Sequence, residues 1–348
     1  MTRFVYSKYN VKLVFFILIS LCLVACTNDR SMMVSLNGKT MGTTYNIKFP
    51  LEASDADLDT TVLQTKIDEH LLYINQLMST YIPDSELSLL NKADADVGFV
   101  VSAETQKVLE ESLRLNTLSK GALDITVGPL VNLWGFGPDK RPDKVPSQVE
   151  IDAVKDVVGI DKFRLEGNTV YKAHDDVYID LSTIAKGYAV DELAFLLEDA
   201  GINDYLVEIG GEMRVSGKKL GGEDWALAIE KPITAERSIQ RIIAIGDNAI
   251  ASSGDYRNYF EQDGVRFSHL IDPQTSQPIQ HNLAAVSVVA STSMRADGLA
   301  TALIIMGAEK GRELAEQEGI AALFITKEGS EFMEYRSTAF DQQVSIVR

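Results

Sequence analysis

The stretch "STSMRADGLATALIIMG", residues 291–307, decides how this part of the chain folds. Ala, Leu, Ile and Met occupy most positions after Gly298, which predicts a buried helix over 294–306. Arg295 and Asp297 stand where this apolar run begins. A buried carboxylate is costly unless it is paired or bound to a metal. The residues alone leave two interpretations of Asp297 open: a charge that favours the helix N-terminus, and a ligand for a cation.

Thr301 lies four residues after Asp297, so the two side chains share one helix face. A carboxylate and a hydroxyl, with an oxygen from another segment, would supply half of the shell of a Mg²⁺ ion. The chain has four histidines and two cysteines, which are too scattered for a zinc site. An oxygen-ligated metal is therefore one hypothesis, and a core threonine beside a helix-end aspartate is the other.

The segments on either side of this helix mix strands with helices. The strand "AAVSVVA" precedes it, and a helix near 308–318 and the strand "AALFITKEG" follow it. Upstream, we predict four helices: one after Ser54, one from Ser102 to Gly121, one from the capping box Ser147–Glu150 to Gly159, and one that begins at Ser182. We also predict a strand at "YLVEIGG". Hairpins are predicted to turn at Asn37-Gly38, Gly167-Asn168 and Asp263-Gly264. Because strands and helices do not alternate strictly, this order predicts an α+β fold.

The composition is that of a globular protein with an acidic surface. The 348 residues are long enough for one large domain or two coupled domains. The chain has 33 Lys and Arg against 50 Asp and Glu, a formal net charge of −17. Such a surface repels phosphate backbones, so nucleic acid is not expected as a partner. An anionic ligand would need a local cation to hold it.

The N-terminus has the pattern of a secretory signal, since the basic "MTRFVYSKYNVK" is followed by the short apolar run "LVFFILISLCLVAC". The run ends in Leu23-Val24-Ala25-Cys26, which is similar to a bacterial lipobox. We expect residues 1–25 to be removed and Cys26 to be lipidated. The mature domain, 26–348, would then be anchored at the periplasmic face of a bacterial membrane, without disulfides. A plain signal anchor is the alternative.

Three further segments place polar residues beside predicted turns and helix ends. In "GALDITVGPLVNLWGFGP", Asp124 is interpreted as the cap of a turn. "DLSTIAKGYAVD" brings Asp180, Thr183 and Lys186 to a predicted helix N-terminus, where phosphate binding and a simple cap with a solvated lysine are equally open. In "SHLIDPQTSQPI", His269 stands between a strand and a turn, where it could act as an acid or base or bind an anion.

Eight motifs occur in one order within residues 38–330: "MGTTY", "MSTYIPDSELSLLN", "GALDITVGPLVNLWGFGP", "DLSTIAKGYAVD", "YLVEIGGEMRVSG", "IASSGDYRNYF", "SHLIDPQTSQPI" and "MRADGLATAL". Together they resemble the ApbE family, the FAD:protein FMN transferases. The resemblance implies an α+β fold of mixed, largely antiparallel sheets with packed helices and a flavin cleft. It also implies transfer of FMN from FAD to a Thr or Ser of an acceptor protein, with release of AMP.

The resemblance further implies roles for individual residues. Those matching FAD contacts are Met41, Tyr81, Ala122, Leu123, Asp124, Asp180, Lys186 and Ile271. Those matching Mg²⁺ ligands are Thr183, Asp297 and Thr301, and His269 matches a position implicated in catalysis. Two positions depart from the pattern: some relatives carry a carboxylate where this chain has Ala300, and Ser276 replaces a usual glycine. We therefore expect one more water or carbonyl on the metal.

Two other functions use the same features. A hydrolase would split FAD into FMN and AMP at the same Mg²⁺ site, and only an acceptor protein in the assay separates it from a transferase. A lipid-anchored flavin-binding protein without catalysis is the third possibility, but passive binding would not need Asp297, Thr301 and His269 together. The resemblance favours the Mg²⁺-dependent transferase. Neutralisation of a pyrophosphate by Mg²⁺ and Lys186 agrees with the acidic composition of the chain, but it suits the hydrolase equally.

Overall fold

An eight-stranded antiparallel sheet forms the middle layer of the protein. The computed structural model describes residues 31–52, 58–138, 144–233, 238–256 and 258–348. In spatial order, the strands of this sheet are β1 (Met32–Thr40), β2 (Thr43–Leu51), β6 (Tyr205–Ile209), β7 (Glu212–Ser216), β10 (Ala249–Gly254), β15 (Leu283–Ala290), β16 (Ala321–Glu328) and β17 (Glu331–Arg336).

Smaller antiparallel sheets flank this layer. One three-stranded sheet contains β8 (Leu227–Glu230), β9 (Ile239–Ala244) and β18 (Ser345–Ile346), and the other contains β3 (Phe99–Val100), β4 (Phe163–Glu166) and β5 (Thr169–Lys172). Two hairpins complete the set: β11 (Tyr259–Gln262) with β12 (Val265–Ser268), and β13 (Ile271–Asp272) with β14 (Gln277–Pro278).

The described residues form eight α-helices. They are α1 (Thr60–Met78), α2 (Glu86–Lys92), α3 (Ala103–Leu118), α4 (Gly128–Leu133), α5 (Gln148–Lys155), α6 (Ala185–Asp199), α7 (Ser293–Gln317) and α8 (Thr338–Gln343). The α+β class predicted from the sequence, with largely antiparallel sheets and packed helices, is confirmed.

The main sheet separates two hydrophobic cores. Along β15, Val286 and Val288 point into the larger core, which α1, α3, α6 and α7 cover. Ala285 and Val289 point the other way, into a smaller core that β8, β9 and α8 cover. A strand that is buried on both faces needs an almost continuous apolar sequence, which explains "LAAVSVVA".

Most of the predicted turns and caps are present. Hairpins turn at Gly167-Asn168 and Asp263-Gly264. Ser102 caps α3, and Ser147 and Glu150 form the capping box of α5. The two helices end earlier than predicted, at Leu118 and Lys155, before their glycines. The predicted break near 307 is also present, because Gly307 has a non-helical backbone inside α7.

The first hairpin does not turn where the sequence predicted. Asn37 and Gly38 lie inside β1, and the turn is formed by Met41 and Gly42. A Cβ on Gly38 would lie 2.5 Å from the ring of Tyr45, its partner on β2. Gly38 therefore makes room for a buried tyrosine instead of forming the turn, so the Asn37-Gly38 prediction was wrong.

Helix α6 begins three residues later than predicted. Ser182 does not cap it, because the backbone N–H groups of Ile184 and Ala185 already donate to the carbonyl of Leu181. The carboxylate of Asp180 accepts a hydrogen bond from the N–H of Ser182 at 2.9 Å. A turn therefore precedes the helix, and the prediction that the helix is entered at Ser182 was wrong.

Three expectations concern residues outside the described ranges. The leader over 1–25, the lipidated Cys26 and the helix start after Ser54 all fall there, although α1 itself begins at Thr60 with Asp59 as its cap. The boundaries of the 26–348 domain also stay a prediction. In the part of the chain that the structure describes, no helix has the length and apolar character needed to span a membrane.

Candidate active site

A cavity of about 450 Å³ brings together segments that are far apart in the sequence. The residues of the predicted site that line it are Tyr81, Ala122, Leu123, Asp124, Asp180, Thr183, Lys186, His269, Ile271, Asp297 and Thr301. Met41 does not line the cavity; it lies in the β1–β2 turn with a φ of 47° and packs against the larger core. Of the predicted site residues that lie in the described ranges, all except Met41 thus surround one space.

The N-terminus of α7 positions two of the three predicted metal ligands. Asp297 and Thr301 are both buried and face the cavity from successive turns of the helix. The carboxylate of Asp191 on α6 accepts hydrogen bonds from the N–H groups of Ser293 and Met294, both at 2.9 Å. These contacts cap α7 and fix it to α6, because they satisfy N–H groups that have no partner within the helix.

Helices α6 and α7 approach each other closely at Gly187. A Cβ at this position would lie 2.3 Å from the carbonyl oxygen of Ser293, which no side chain can tolerate. The N–H of Gly187 donates to Oδ2 of Asp297 at 3.0 Å. The glycine in "AKGYAVD" therefore allows the backbone of α6 to bind the carboxylate on α7.

Lys186 lies between two buried carboxylates. Its Nζ is 3.0 Å from Oε1 of Glu212 and 3.5 Å from Oδ2 of Asp297. Burial lowers the pKa of Lys186, but the negative charges of Asp297 and Glu212 outweigh burial and raise the pKa above its ordinary value. The solvated-lysine interpretation is therefore wrong, because the ammonium is held as a cation inside the site.

Asp297 is held in a poorly solvated position. Burial raises its pKa to about 7, in spite of the nearby ammonium of Lys186 and the N–H of Gly187. Both contacts of the carboxylate fall on Oδ2. A buried carboxylate whose negative charge is unfavourable enough to raise its pKa in this way is a candidate for binding a cation.

The oxygen atoms around Asp297 fit a hard cation such as Mg²⁺. The hydroxyl of Thr183 is buried and has no hydrogen-bond partner among the described residues, and the same holds for Oε2 of Glu212. The hydroxyl of Thr301 contacts that of Ser253 at 3.1 Å. No group of three or more His, Cys, Asp or Glu in the described ranges could hold a metal, so a metal here would need hydroxyl and carbonyl ligands.

Turns present Asp124 and Asp180 to the cavity. Oδ1 of Asp124 accepts hydrogen bonds from the N–H of Thr126 at 2.8 Å and from its hydroxyl at 2.6 Å, as the turn interpretation predicted. The N–H of Asp180 donates to the carbonyl of Ile125 at 2.8 Å, which ties the two segments together. Burial raises the pKa of both carboxyl groups.

His269 is fixed with one ring nitrogen engaged. Its Nδ1 lies 3.0 Å from the carbonyl oxygen of Asn258, and the ring meets Phe136 edge-on at 6.3 Å between centroids. A carbonyl only accepts hydrogen bonds, so Nδ1 carries the proton of the neutral ring and Nε2 has a free lone pair. Burial, and then the charge of Lys186, lower the pKa of His269 below its usual 6.5.

The cavity wall also contains residues that sequence reasoning did not single out, among them Phe136, Glu212 and Ser253. Glu212 directly follows the Gly210-Gly211 turn between β6 and β7. An acidic residue at the first position of a strand, directly after a glycine pair, was the available signal. Its pairing with Lys186 depends on how β7 lies against α6, so spacing alone could not have predicted it.

Comparison with known proteins gives a consistent result. The model of the ApbE family matches residues 41–324. The curated FAD:protein FMN transferase of Vibrio cholerae is 51% identical over 323 residues, and the alignment covers 93% of this chain and 96% of the relative. The FAD:protein FMN transferase of Escherichia coli K12 is 42% identical, and the alignment covers 88% of this chain and 87% of the relative.

Solved structures agree with the sequence relatives. The Vibrio cholerae flavin transferase ApbE superposes with a TM-score of 0.84 at 49% identity, covering 90% of this chain and 100% of the other. The apo form of Pseudomonas stutzeri flavinyl transferase ApbE gives a TM-score of 0.83 at 38% identity, with coverage of 90% and 97%.

Proposed function

This chain belongs to the ApbE family and is a flavin-transferring enzyme, and on that premise we propose that it moves FMN from FAD to a Thr or Ser hydroxyl of an acceptor protein, with Mg²⁺ as cofactor and AMP as the second product. The observation that carries the proposal is the cavity that Asp297, Thr301, Lys186 and His269 share. A protein that only stored flavin would not need a buried carboxylate, an ammonium and an imidazole at one point.

Asp297, Thr301 and Thr183 are the residues that would hold Mg²⁺. The unpartnered hydroxyl of Thr183 and the buried carboxylate of Asp297 support this assignment, because Mg²⁺ prefers oxygen ligands. When bound, Mg²⁺ would neutralise the pyrophosphate and stabilise the negative charge that develops on departing AMP.

FAD would enter as an anionic substrate of an acidic protein. With a net charge of −17, the chain can hold a pyrophosphate only where positive charge is concentrated, and the ammonium of Lys186 supplies such charge inside the cavity. Ala122, Leu123 and Ile271 provide apolar wall for the aromatic parts of the dinucleotide. Tyr81 also lines the cavity, and the residue is 70% exposed.

His269 would act as the general base. The acceptor oxygen forms a bond to the phosphorus of the FMN moiety, the bond from that phosphorus to the bridging oxygen breaks, and AMP leaves with the electron pair. The hydroxyl proton passes to Nε2 of His269, which is free because Nδ1 is bonded to the carbonyl of Asn258.

The test is incubation of the protein with FAD, Mg²⁺ and a candidate acceptor, followed by mass spectrometry of the acceptor. We expect the acceptor to gain one FMN, and AMP to appear in equal amount. An acceptor whose target Thr or Ser is replaced by Ala is the matched control and should gain nothing. Release of FMN and AMP with an unmodified acceptor would support the hydrolase, and absence of AMP would support passive flavin binding.

We also propose that the enzyme works at the periplasmic face of a bacterial membrane, attached through a lipid on Cys26. The support is the basic start, the apolar run and Leu23-Val24-Ala25-Cys26 in the sequence. The acceptor would then be a protein whose target residue is reachable from the same membrane face.

A further inference from the structure

Glu212 is a buried carboxylate that the proposed reaction does not use. The residue is 5% exposed, and its Oε2 has no hydrogen-bond partner in the described part of the chain. Its Oε1 contacts Nζ of Lys186 at 3.0 Å. A buried carboxylate oxygen without a partner lowers the stability of the fold, so its position calls for a functional explanation.

The β6–β7 hairpin holds Glu212 at the cavity wall. Gly210 and Gly211 form its turn, with φ angles of 63° and 113° that favour glycine. A Cβ on Gly210 would lie 2.9 Å from Cγ2 of Thr43 and 3.5 Å from Oε2 of Glu212. The glycine pair thus lets the carboxylate fold back over the turn towards Lys186.

The ammonium of Lys186 is shared unequally between two carboxylates. It is within hydrogen-bond distance of Glu212, at 3.0 Å, whereas Asp297 is at 3.5 Å. Asp297 receives its shorter bond from the N–H of Gly187, at 3.0 Å. Glu212 is therefore the closer ionic partner of Lys186, although Asp297 lies within reach of the same ammonium.

We propose that Glu212 is a positioning residue that draws Lys186 away from Asp297, so that Asp297 stays able to bind Mg²⁺. This inference rests on the metal site of the proposed function. When both carboxyl groups are ionised, they and the one ammonium carry one net negative charge, which attracts a divalent cation. Without the charge of Glu212, Lys186 and Asp297 would form a neutral pair, and Mg²⁺ would have to displace the ammonium from its only counter-ion.

The test is the affinity for Mg²⁺, measured by isothermal titration calorimetry on the protein alone and again with saturating ADP, which supplies a pyrophosphate but no flavin. Glu212→Gln keeps the shape and removes the charge. Glu208→Gln is the matched control, because Glu208 lies in the same hairpin and binds Asn46 and the N–H of Gly211 instead of Lys186. Thermal unfolding checks that each variant is folded.

We expect Glu212→Gln to weaken Mg²⁺ binding by about tenfold or more, because charges this close interact strongly in a protein interior. Glu208→Gln should bind as the wild type does. In the absence of ADP, adding Lys186→Met to Glu212→Gln removes the competing ammonium and should restore most of the lost affinity. Without ADP, Lys186→Met alone should bind Mg²⁺ at least as tightly as the wild type, and this expectation does not depend on whether Glu212→Gln folds. The measurement with ADP is not used for this variant, because Lys186 is also expected to hold the pyrophosphate.

Two results would overturn the inference while leaving the proposed function intact: equal Mg²⁺ affinity of the Glu212→Gln and Glu208→Gln proteins, or a double variant no better than Glu212→Gln alone. Weaker Mg²⁺ binding by Lys186→Met in the absence of ADP would also overturn it. Failure of the wild type to bind Mg²⁺, with and without ADP, would instead contradict the metal site of the proposed function.

Discussion

Asp297 shows how one side chain can be held for binding without being fully neutralised. Its Oδ2 accepts a hydrogen bond from the N–H of Gly187 and forms an ion pair with the ammonium of Lys186. The pKa of the carboxyl group is raised because the group is buried. An aspartate that only completed a helix N-terminus would be expected at an exposed first turn, where charge is inexpensive. Thr292 already caps α7, and Asp191 binds its first N–H groups, so Asp297 is not needed for that purpose.

The charge of Asp297 is the first target for mutation. Asp297→Asn keeps an oxygen for the N–H of Gly187 but removes the charge, so we expect FMN transfer to fall by about 100-fold or more, the scale of losing one group that stabilises developing charge. The melting temperature should stay close to that of the wild type. Transfer is measured by acceptor mass across a Mg²⁺ titration, with the exposed Asp199→Asn on α6 as control. Near-normal transfer at low Mg²⁺ would rule out the metal-ligand role.

The pH dependence of transfer should report His269. Burial and the charge of Lys186 lower the pKa of this imidazole below 6.5, so the neutral, proton-accepting form persists to pH values below that point. We expect the ratio of wild-type to His269→Ala rates to be constant, at about 10² to 10⁴, above pH 6.5, and to fall as the pH drops through the lowered pKa. Using the ratio cancels the titration of groups that both proteins share. A ratio that rises towards acid pH would contradict the role as a base.

Among the elements, the pair α6 and α7 holds the site together. Asp191 on α6 binds two N–H groups at the start of α7 and also contacts Nη1 of Arg214 on β7 at 3.1 Å. Three elements of the cavity therefore meet at one buried carboxylate. The side chains that face the cavity depend on this junction, even though Asp191 does not line the cavity.

Loss of Asp191 should destabilise the whole protein. Asp191→Ala leaves Arg214 without its closest partner and removes the acceptor of two N–H groups at the start of α7. We expect a loss of roughly 3–5 kcal/mol in the free energy of unfolding, as for other broken buried ion pairs. The exposed Asp199→Ala on the same helix should change it by less than about 0.5 kcal/mol. Urea unfolding measures both variants. Equal stability of the two proteins would show that the junction contributes little.

The sequence predicted local elements better than their contacts. The Gly167-Asn168 and Asp263-Gly264 hairpins and the cap at Ser102 follow from residues that lie close together in the chain. Gly38 misled the prediction because its role is to leave space for the ring of Tyr45 on the next strand, a packing requirement that turn preferences do not contain.

The same distinction applies to the candidate site. The family resemblance of the motifs identified eleven residues that the fold brings around one cavity. The shared helix face of Asp297 and Thr301 followed from their spacing in the sequence. Glu212 was missed because its partner, Lys186, comes from another element. Such a pair becomes visible only when β7 is placed beside α6.

At the scale of the whole molecule, the distribution of charge favours a local cation at the site. The surface is acidic, yet the proposed substrate is an anion, so attraction must come from the cavity itself and not from the overall field. Removal of residues 1–25 would make this contrast stronger, because that segment contains three basic residues and no acidic one. A lipid anchor would keep the enzyme close to membrane-bound acceptors and would thereby offset the weak long-range electrostatic attraction of the acidic enzyme for its partners.

The anchor leads to the last prediction. Cys26→Ser removes the thiol that a lipid would modify, so we expect this protein to move from the membrane fraction to the soluble fraction, while FMN transfer to a soluble acceptor stays at the wild-type rate. The reason is that one or more acyl chains supply membrane affinity, whereas the described residues contain no membrane-spanning helix. Fractionation with mass spectrometry of the N-terminus measures the outcome, and Cys22→Ser is the matched control because Cys22 lies before the expected cleavage point. A wild-type protein that keeps Met1, or a Cys26→Ser protein that stays in the membrane fraction, would contradict the anchor.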